Sequence, residues 1–560
     1  MLIGIDVGGT FTDGVLFHEG KVVSSDKRLT DQHNLKISLL QVLDKLLETA
    51  GKEPIERIVL STTLVTNLLA TGNIERTALI LIPGYGLPPD TFKICRDTYY
   101  LSGGIDFRGR VIEDLDRAQI ESTLKQIHEL GIRRLAVAGK FANRNGVHEK
   151  TIEQVANELY PDIQVSLSSK ISGKLNYPRR AATTYYTAAV AKEWNQFTKA
   201  IKEAIKERGI KTDIHILKAD GGTMPLDMSL IRPCETVFSG PAASTMGAVA
   251  LTMDESNSVV IDIGGTTTDI SLIVGGVPLY ASRGACLEGK LTHINAFAVK
   301  SIPLGGDSML SWQEQQLRIG PERRGSAACF GGMVPTVIDA FNVHYRLQIG
   351  DFNLSTNKLA ELADRTPLTQ EEITSQAVDM VYEQLAVTIR NMFKEWENEP
   401  AYKVWEVINR RKYALDRIIG VGAAAHTIIP GLAERMQLDY LVHEYSPVAN
   451  ALGAAAVRPT LSVELHIDTQ KQTAMVDPGG ISLPIKNAHR YQLTDAKSLA
   501  LEYLKEFGEE NDLEPQDLEP EFYTEEQFNV IRGWDTVGKL FEIGVQIKPG
   551  FIKSFKGVRI

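Results

Sequence analysis

Nowhere in the 560 residues do about 18 apolar residues follow one another, so no membrane-spanning helix is expected. A basic excess is also missing. Sixty Lys and Arg stand against seventy Asp and Glu, a net charge of −10, and broad nucleic-acid binding needs a basic footprint. Cysteine is scarce: Cys95, Cys234, Cys286 and Cys329 are scattered with no Cys-x-x-Cys spacing, so a disulfide framework is not expected and the thiols read as reduced. No histidine–cysteine group has metal-ligand spacing. The pairs His148-Glu149 and His443-Glu444 are isolated and read as surface or cap sites. The opening MLIGID has neither the basic start nor the apolar run of a secretion leader. These absences leave a cytoplasmic α/β protein as the expectation, large enough for about three to four domains.

What is present is a repeat at long range. The N-terminus reads IGIDVGGTFTDGVLF, and 256 positions later the chain reads VVIDIGGTTTDISLI. Asp6 falls on Asp262, Gly8 and Gly9 on Gly264 and Gly265, and Thr10 on Thr266. Thr12 falls on Thr268 and Asp13 on Asp269. Each copy is an apolar run, a Gly-Gly-Thr turn, a second apolar run and another glycine turn, the pattern of a β-hairpin. Glycines let the backbone approach a phosphate and take positive φ, and successive N–H groups in such a turn form an anion-binding nest. Threonine hydroxyls add hydrogen bonds, and the aspartates can hold a cation or its waters.

Elsewhere the periodicity predicts a helix over 34–49 ending at Gly51, a strand over 55–63 and a short helix closed by Gly72. Residues 117–169 alternate helix, strand, helix, strand, the mark of an inserted parallel-sheet unit. A long helix is predicted over 177–208, in which Tyr185 and Tyr186 read as core and Pro178-Arg179-Arg180 as a solvated start. A strand over 214–222 and a small-residue helix from Ser239 follow, then helices over 370–396. RIIGVGAAAHTIIPGLAERM reads as strand, glycine turn, helix. From about Arg458 the composition turns to charged, short-strand material.

The two hairpins, with the GVGAAA turn at 420–425, resemble the actin/Hsp70/sugar-kinase superfamily, which has an RNase H-like fold. That resemblance implies two related α/β ATPase domains flanking a nucleotide cleft, each giving a phosphate hairpin, with a glycine turn of the second half on the adenosine. Within the superfamily the chain resembles the hydantoinase/oxoprolinase family, hydantoinase A type. The motifs that carry the resemblance are IDVGGTFTD, STTLVTNLL, YPRRAATTYYTAAV, ADGGTMPLDMSLIRPCETVFSGPAAS, IDIGGTTTDIS, PLGGDSML, GPERRGSAACFGGMVPTVIDA and VGAAAHTIIPGLAE, in order over residues 1–457. The chain departs from the family pattern in the PLGGDSM region, at Ala423 to Ala425 and after Arg458. On this reading residues 1–75 and 173–255 form the first half of the core and 256–457 the second. Residues 76–172 are an inserted α/β domain, and 458–560 a small C-terminal unit.

The resemblance further implies an ATP-dependent hydrolase of a cyclic amide, of hydantoin or 5-oxoproline type, acting through a phosphorylated carbonyl. It implies Mg²⁺, a second subunit of the hydantoinase B type and an oligomer, with no nucleic-acid or membrane partner. Alternatives are the ATP-using subunit of a ketone carboxylase, a small-molecule kinase, or a nucleotide-switched binding protein. Asp6 and Asp262 would hold the metal and act in catalysis. Asp13 and Asp269 either share that role or cap backbone N–H groups. Gly8, Gly9, Thr10 and Thr12 would bind one end of the phosphate chain, and Gly264, Gly265, Thr266 and Thr267 the other. Gly305, Gly306 and Asp307 would contact ribose or phosphate, or form a buried turn. Gly420, Gly422 and Ala423 belong to the adenosine turn. Cys329, with no partner base legible, reads as a structural thiol.

Overall fold

Each Gly-Gly-Thr segment folds as the sequence pattern requires: an apolar strand, a tight turn, and a second strand returning beside the first. A computed structural model describes residues 1–31, 34–86, 88–320, 323–398, 414–510, 513 and 519–558. In it the strand Leu2–Val7 pairs antiparallel with Phe11–His18, opposing Asp6 to Asp13. The strand Ser258–Ile263 pairs with Thr268–Val274 and opposes Asp262 to Asp269.

Each hairpin is the centre of a six-stranded sheet. The first sheet runs Thr223–Pro225, Ile214–Leu217, Arg57–Thr62, Leu2–Val7, Phe11–His18, Lys21–Leu29. The second runs Val277–Pro278, Thr268–Val274, Ser258–Ile263, Arg417–Val421, Asp439–Leu441, with Val299–Ile302 also pairing Thr268–Val274. In both, the first hairpin strand has a parallel partner on its other side, Arg57–Thr62 or Arg417–Val421. That shared order places both hairpin turns at the same ends of their sheets.

Between the two sheets lie the helices Ser239–Thr252 and Ala449–Ala456, built from small residues so that backbones can touch. A Cβ at Gly247 would lie 2.1 Å from the Ala449 carbonyl oxygen, and one at Gly453 2.4 Å from that of Ala243. The helix Ala449–Ala456 also crosses the first sheet, where a Cβ on Gly4 would overlap the Ala451 carbonyl. Larger residues at these positions would push the sheets apart.

Thr77–Ile82, Thr98–Tyr100, Arg134–Gly139 and Gln164–Leu167 form a four-stranded parallel sheet with its own buried cluster around Leu124, Leu135 and Ile152. The long helix spans Tyr177–Glu207, and its start corrects the expectation of solvated basic residues. Arg180 is 1% exposed and donates to the Lys174 and Gly139 carbonyls and to Ser168 Oγ. His148-Glu149 is likewise not a surface pair. Both residues are buried, and the Glu149 carboxylate accepts from the Gly139 and Ser169 amides and the Ser168 hydroxyl. A charge removed from water needs such partners, and sequence spacing does not show them.

After Arg458 the strands are longer than their composition suggests. A five-stranded antiparallel sheet contains the 13-residue strands Pro520–Arg532 and Asp535–Ile547, backed by the helix Leu493–Glu510. Among the described residues no helix is long and apolar enough to cross a membrane.

Candidate functional site

Both Gly-Gly-Thr turns are closed by the same bond. The Gly8 N–H donates to the Phe11 carbonyl at 3.0 Å, and the Gly264 N–H to that of Thr267 at 3.0 Å. None of Gly8, Gly9, Gly264 or Gly265 has a positive φ, so the expected need for left-handed backbone is not the reason for glycine here. At Gly265 the reason is space, since a Cβ there would lie 2.8 Å from Asp307 Oδ2, whereas a Cβ on Gly9 would meet nothing within 4 Å.

The two turns open on one cleft of about 1410 Å³. Its walls hold Gly8, Gly9, Thr10 and Asp13 from the first hairpin and Gly264 to Thr267 and Asp269 from the second. At its floor Asn450 joins the halves: its Nδ2 donates to Asp6 Oδ2 and to Asp262 Oδ2, each at 3.2 Å. Asn450 lies on the short helix that crosses between the sheets, so close helix packing fixes its position. No sequence motif marked this residue. Lys27 was missed too. Its Nζ lies 2.6 Å from Asp13 Oδ1 and 4.9 Å from the centre of the Phe11 ring, and it lines the cleft.

The PLGGD segment is stitched to the second turn, the Gly306 and Asp307 amides donating to the Gly264 and Gly265 carbonyls. Gly305 makes that contact possible, because a Cβ there would lie 2.5 Å from the Gly265 carbonyl. Asp307 faces the cleft, paired with Arg323 at 2.9 Å. Gly422, at φ +87°, turns the chain beneath Asp262, and a Cβ would sit 2.5 Å from Asp262 Oδ1. Gly422, Ala423 and Thr427, with Ile338 and Ile349, give the cleft an apolar end.

Burial acts on all four hairpin carboxylates. It pushes Asp6 up, against the hydrogen bonds it accepts and the charge of Lys27. It pushes Asp262 up, the neighbouring Asp6 adding to the effect. Asp13 rises to about 6 despite Lys27. Asp269 rises to about 7, by burial first and then by the Asp262 charge. A folded-state pKa above the unfolded value means the native chain binds the extra proton, so stability falls as pH rises between the two values. For Asp269 that window runs from about 4 to about 7. Asp269→Asn is therefore expected to raise the melting temperature at pH 8 by about 2 °C or more, and to leave it nearly unchanged at pH 4. A gain of equal size at both pH values would refute the buried charge as its cause.

Residues 180–462 match the Hydantoinase/oxoprolinase family, and residues 2–160 match the Hydantoinase/oxoprolinase N-terminal region. The chain belongs to the hydantoinase/oxoprolinase family. 5-Oxoprolinase of Saccharomyces cerevisiae is 24% identical over 549 residues, covering 80% of this chain and 40% of its own length. The alpha subunit of caprolactamase of Pseudomonas jessenii is 24% identical over 373 residues, covering 60% of this chain and 53% of its own. The family chain described here thus spans about half the length of these curated relatives. In fold it is similar to acetone carboxylase in a nucleotide-free structure, with a TM-score of 0.73 at 16% identity over 98% of this chain and 87% of that one.

Three of the expected nucleotide-binding positions of this hydantoinase/oxoprolinase chain lie off the cleft wall. Thr12 is fully buried, its hydroxyl 3.0 Å from that of Thr30. Gly305 backs the second turn. Gly420 lies within the strand Arg417–Val421, its carbonyl accepting from the Ser446 hydroxyl. All three shape the turns from behind. His443 Nδ1 accepts from the Tyr445 amide within a local turn, and the short helix that follows has no side-chain cap.

Cys329 is buried and its thiol pushed up to about 12, burial being the main cause and Asp339 the next. Cys234 is buried and rises likewise to about 12. Cys286 is exposed and lines the cleft. Thiolate is the reactive form, so iodoacetamide at pH 8 is expected to label Cys286 first and to spare Cys234 and Cys329 while the chain is folded. Peptide mass mapping checks this, and early labelling of Cys329 would contradict its structural role.

Proposed function

We propose that the cleft binds ATP with Mg²⁺ and that the chain is the nucleotide-binding subunit of an ATP-dependent hydrolase of cyclic amides, of hydantoin or 5-oxoproline type. The observation that carries the reading is Asn450, which donates to Asp6 and Asp262 together and so sets the bases of two phosphate-type turns face to face. In this reading residues 1–75 with 173–255, and residues 256–457, are the two halves of an ATPase core of the actin/Hsp70/sugar-kinase kind. Residues 76–172 are an insertion and 458–560 a C-terminal unit.

The donor set suits MgATP. Asp6 Oδ1 is buried with no hydrogen-bond partner among the described residues, as expected of an atom that awaits a cation or its water. No group of three or more metal-ligating side chains occurs among the described residues. Magnesium, which keeps several waters and takes one or two carboxylates plus phosphate oxygens, needs only Asp6 and Asp262. Bound there, MgATP supplies the phosphoryl group that turns a poor amide oxygen into a leaving group. The chain's own part is positioning and charge. The N–H groups of Gly9, Thr10, Gly265 and Thr266 receive phosphate oxygens, Lys27 adds positive charge beside Asp13, and the apolar end around Ala423 and Ile338 takes the base. Asn450 holds the two carboxylates apart and oriented.

Relatives named as an oxoprolinase and a lactamase chain support the cyclic-amide class, and the name of the latter as an alpha subunit supports a second subunit as partner. The test is ADP release with hydantoin, 5-oxoproline and caprolactam, with and without the product of the neighbouring gene. ADP formed together with a ring-opened product supports the reading. ADP formed only with a ketone and bicarbonate would move the assignment to a carboxylase, the activity named for the structural relative. A stable phosphorylated product would make it a kinase, and hydrolysis that responds only to a protein partner would make it a switch.

A further inference from the structure

Five carboxylates line the hairpin cleft, those of Asp6, Asp13, Asp262, Asp269 and Asp307, against two cationic side chains among the described residues, Lys27 and Arg323. Like charges repel, so a phosphate chain entering that wall needs each positive group within reach. Lys27 is committed already, its ammonium lying 2.6 Å from Asp13 Oδ1 and donating to the Pro447 carbonyl at 3.4 Å. Arg323 is held through one atom only. Its Nε donates to Asp307 Oδ2 at 2.9 Å, and neither Nη makes a hydrogen bond to a described residue. The unpaired buried side-chain atoms of the described residues include neither Nη, so both are open to solvent.

Asp307 fixes where this guanidinium stands. The Asp307 amide donates to the Gly265 carbonyl at 2.8 Å, and a Cβ on Gly265 would lie 2.8 Å from Asp307 Oδ2, the oxygen that takes Arg323. Asp307 Oδ1 accepts from the Ala327 amide at 3.1 Å, which ties the loop carrying the arginine to the second Gly-Gly-Thr turn. Beyond Ala327, the buried Asp339 carboxylate accepts from the Ala328 and Cys329 amides, each at 2.9 Å. Gly306, the neighbour of Asp307, packs toward the apolar end of the cleft, where a Cβ would lie 2.8 Å from Ile338 Cγ1. Arg323 therefore stands between that apolar end and the second turn.

A guanidinium is a planar fork that gives Nε–H to a carboxylate while its Nη groups give to a phosphate. An ammonium is a point charge on a flexible stem and has no such division of labour. We propose that Arg323 binds the phosphate chain of the nucleotide through its Nη groups, with Asp307 as its positioning residue. The inference rests on the nucleotide reading of the cleft and adds to it a residue outside the hairpin motifs.

The experiment is calorimetric titration of the full chain with ADP and, by displacement of ADP, with adenosine, beside melting curves. Arg323→Gln and the milder Arg323→Lys are each expected to weaken ADP binding about tenfold or more, with adenosine affinity and melting temperature unchanged. An arginine that only neutralised Asp307 would also give that loss, so the double variant Asp307→Asn/Arg323→Gln decides between them. Direct contact leaves ADP weakened in the double variant, whereas a return to native affinity would overturn the proposal. Equal losses for ADP and adenosine would overturn it too, making Arg323 a support of the whole pocket, as would native ADP affinity in both single variants. A native chain that binds neither compound fails the nucleotide reading itself, and this proposal with it.

Discussion

Asp262→Asn abolishes substrate-dependent ATP turnover and leaves the chain folded: a loss of about 10²–10³-fold or more is expected, with no fall in melting temperature. The substitution is nearly isosteric. The new side chain keeps one oxygen for the Asn450 amide but has no charge with which to hold a cation. Packing is not at stake, because the neighbouring Ile261 and Ile263 carry the buried face of the strand. The carboxylate itself works against the fold at neutral pH. Burial and the nearby Asp6 raise its pKa, so the native chain holds a proton that the unfolded chain releases, and stability drops as pH climbs past the ordinary carboxylate value. Asparagine removes that penalty. Turnover and melting temperature must therefore move apart, with activity gone and stability unchanged or higher at pH 8. Activity near that of the native chain would remove Asp262 from the chemistry. A collapsed melting curve would instead show that the carboxylate belongs to the core.

The hairpins were legible because the chemistry is local: an aspartate, two glycines and a threonine within five residues, written twice. The parallel strands and long helices were legible from periodicity, down to Gly51 and Gly72 as helix ends. What was hidden depends on residues far apart in the chain. Asn450 meets Asp6 across 444 positions, and nothing in VANALGAAA distinguishes its amide from any other on a small-residue helix. Lys27 sits on a strand that alternates exposed and half-buried residues, where one more lysine reads as surface. Arg180 and Glu149 are buried charges whose partners are backbone groups and serine hydroxyls, which composition does not mark. Thr12 matches a motif position but faces away from the cleft, because successive strand residues point to opposite faces, and Gly420 packs within its strand against Ile429 and Val442. A motif match alone does not decide which face is used.

Gly9→Val is the counterpart that acts on binding alone. The Gly9 φ is not left-handed, and an added Cβ there would meet no heavy atom within 4 Å, so valine is accommodated without strain. Its methyl groups then stand in the mouth of the cleft, where the turn amides would meet phosphate oxygens. Hydrogen bonds from N–H groups to a charged oxygen are worth about 1.5–3 kcal/mol each, and losing one or two raises the ATP dissociation constant about 10- to 100-fold or more. Gly305→Val supplies the contrast. Its Cβ would lie 2.5 Å from the Gly265 carbonyl, so the second turn must shift and the melting temperature should fall along with affinity. Calorimetry with a non-hydrolysable ATP analogue, beside melting curves of both variants, separates the two effects. Unchanged affinity in Gly9→Val would mean that the first turn does not receive the nucleotide, whatever its likeness to the second. Weakened binding at an unaltered melting temperature would place the phosphate against that turn, since the only atoms added lie in the open space of the cleft.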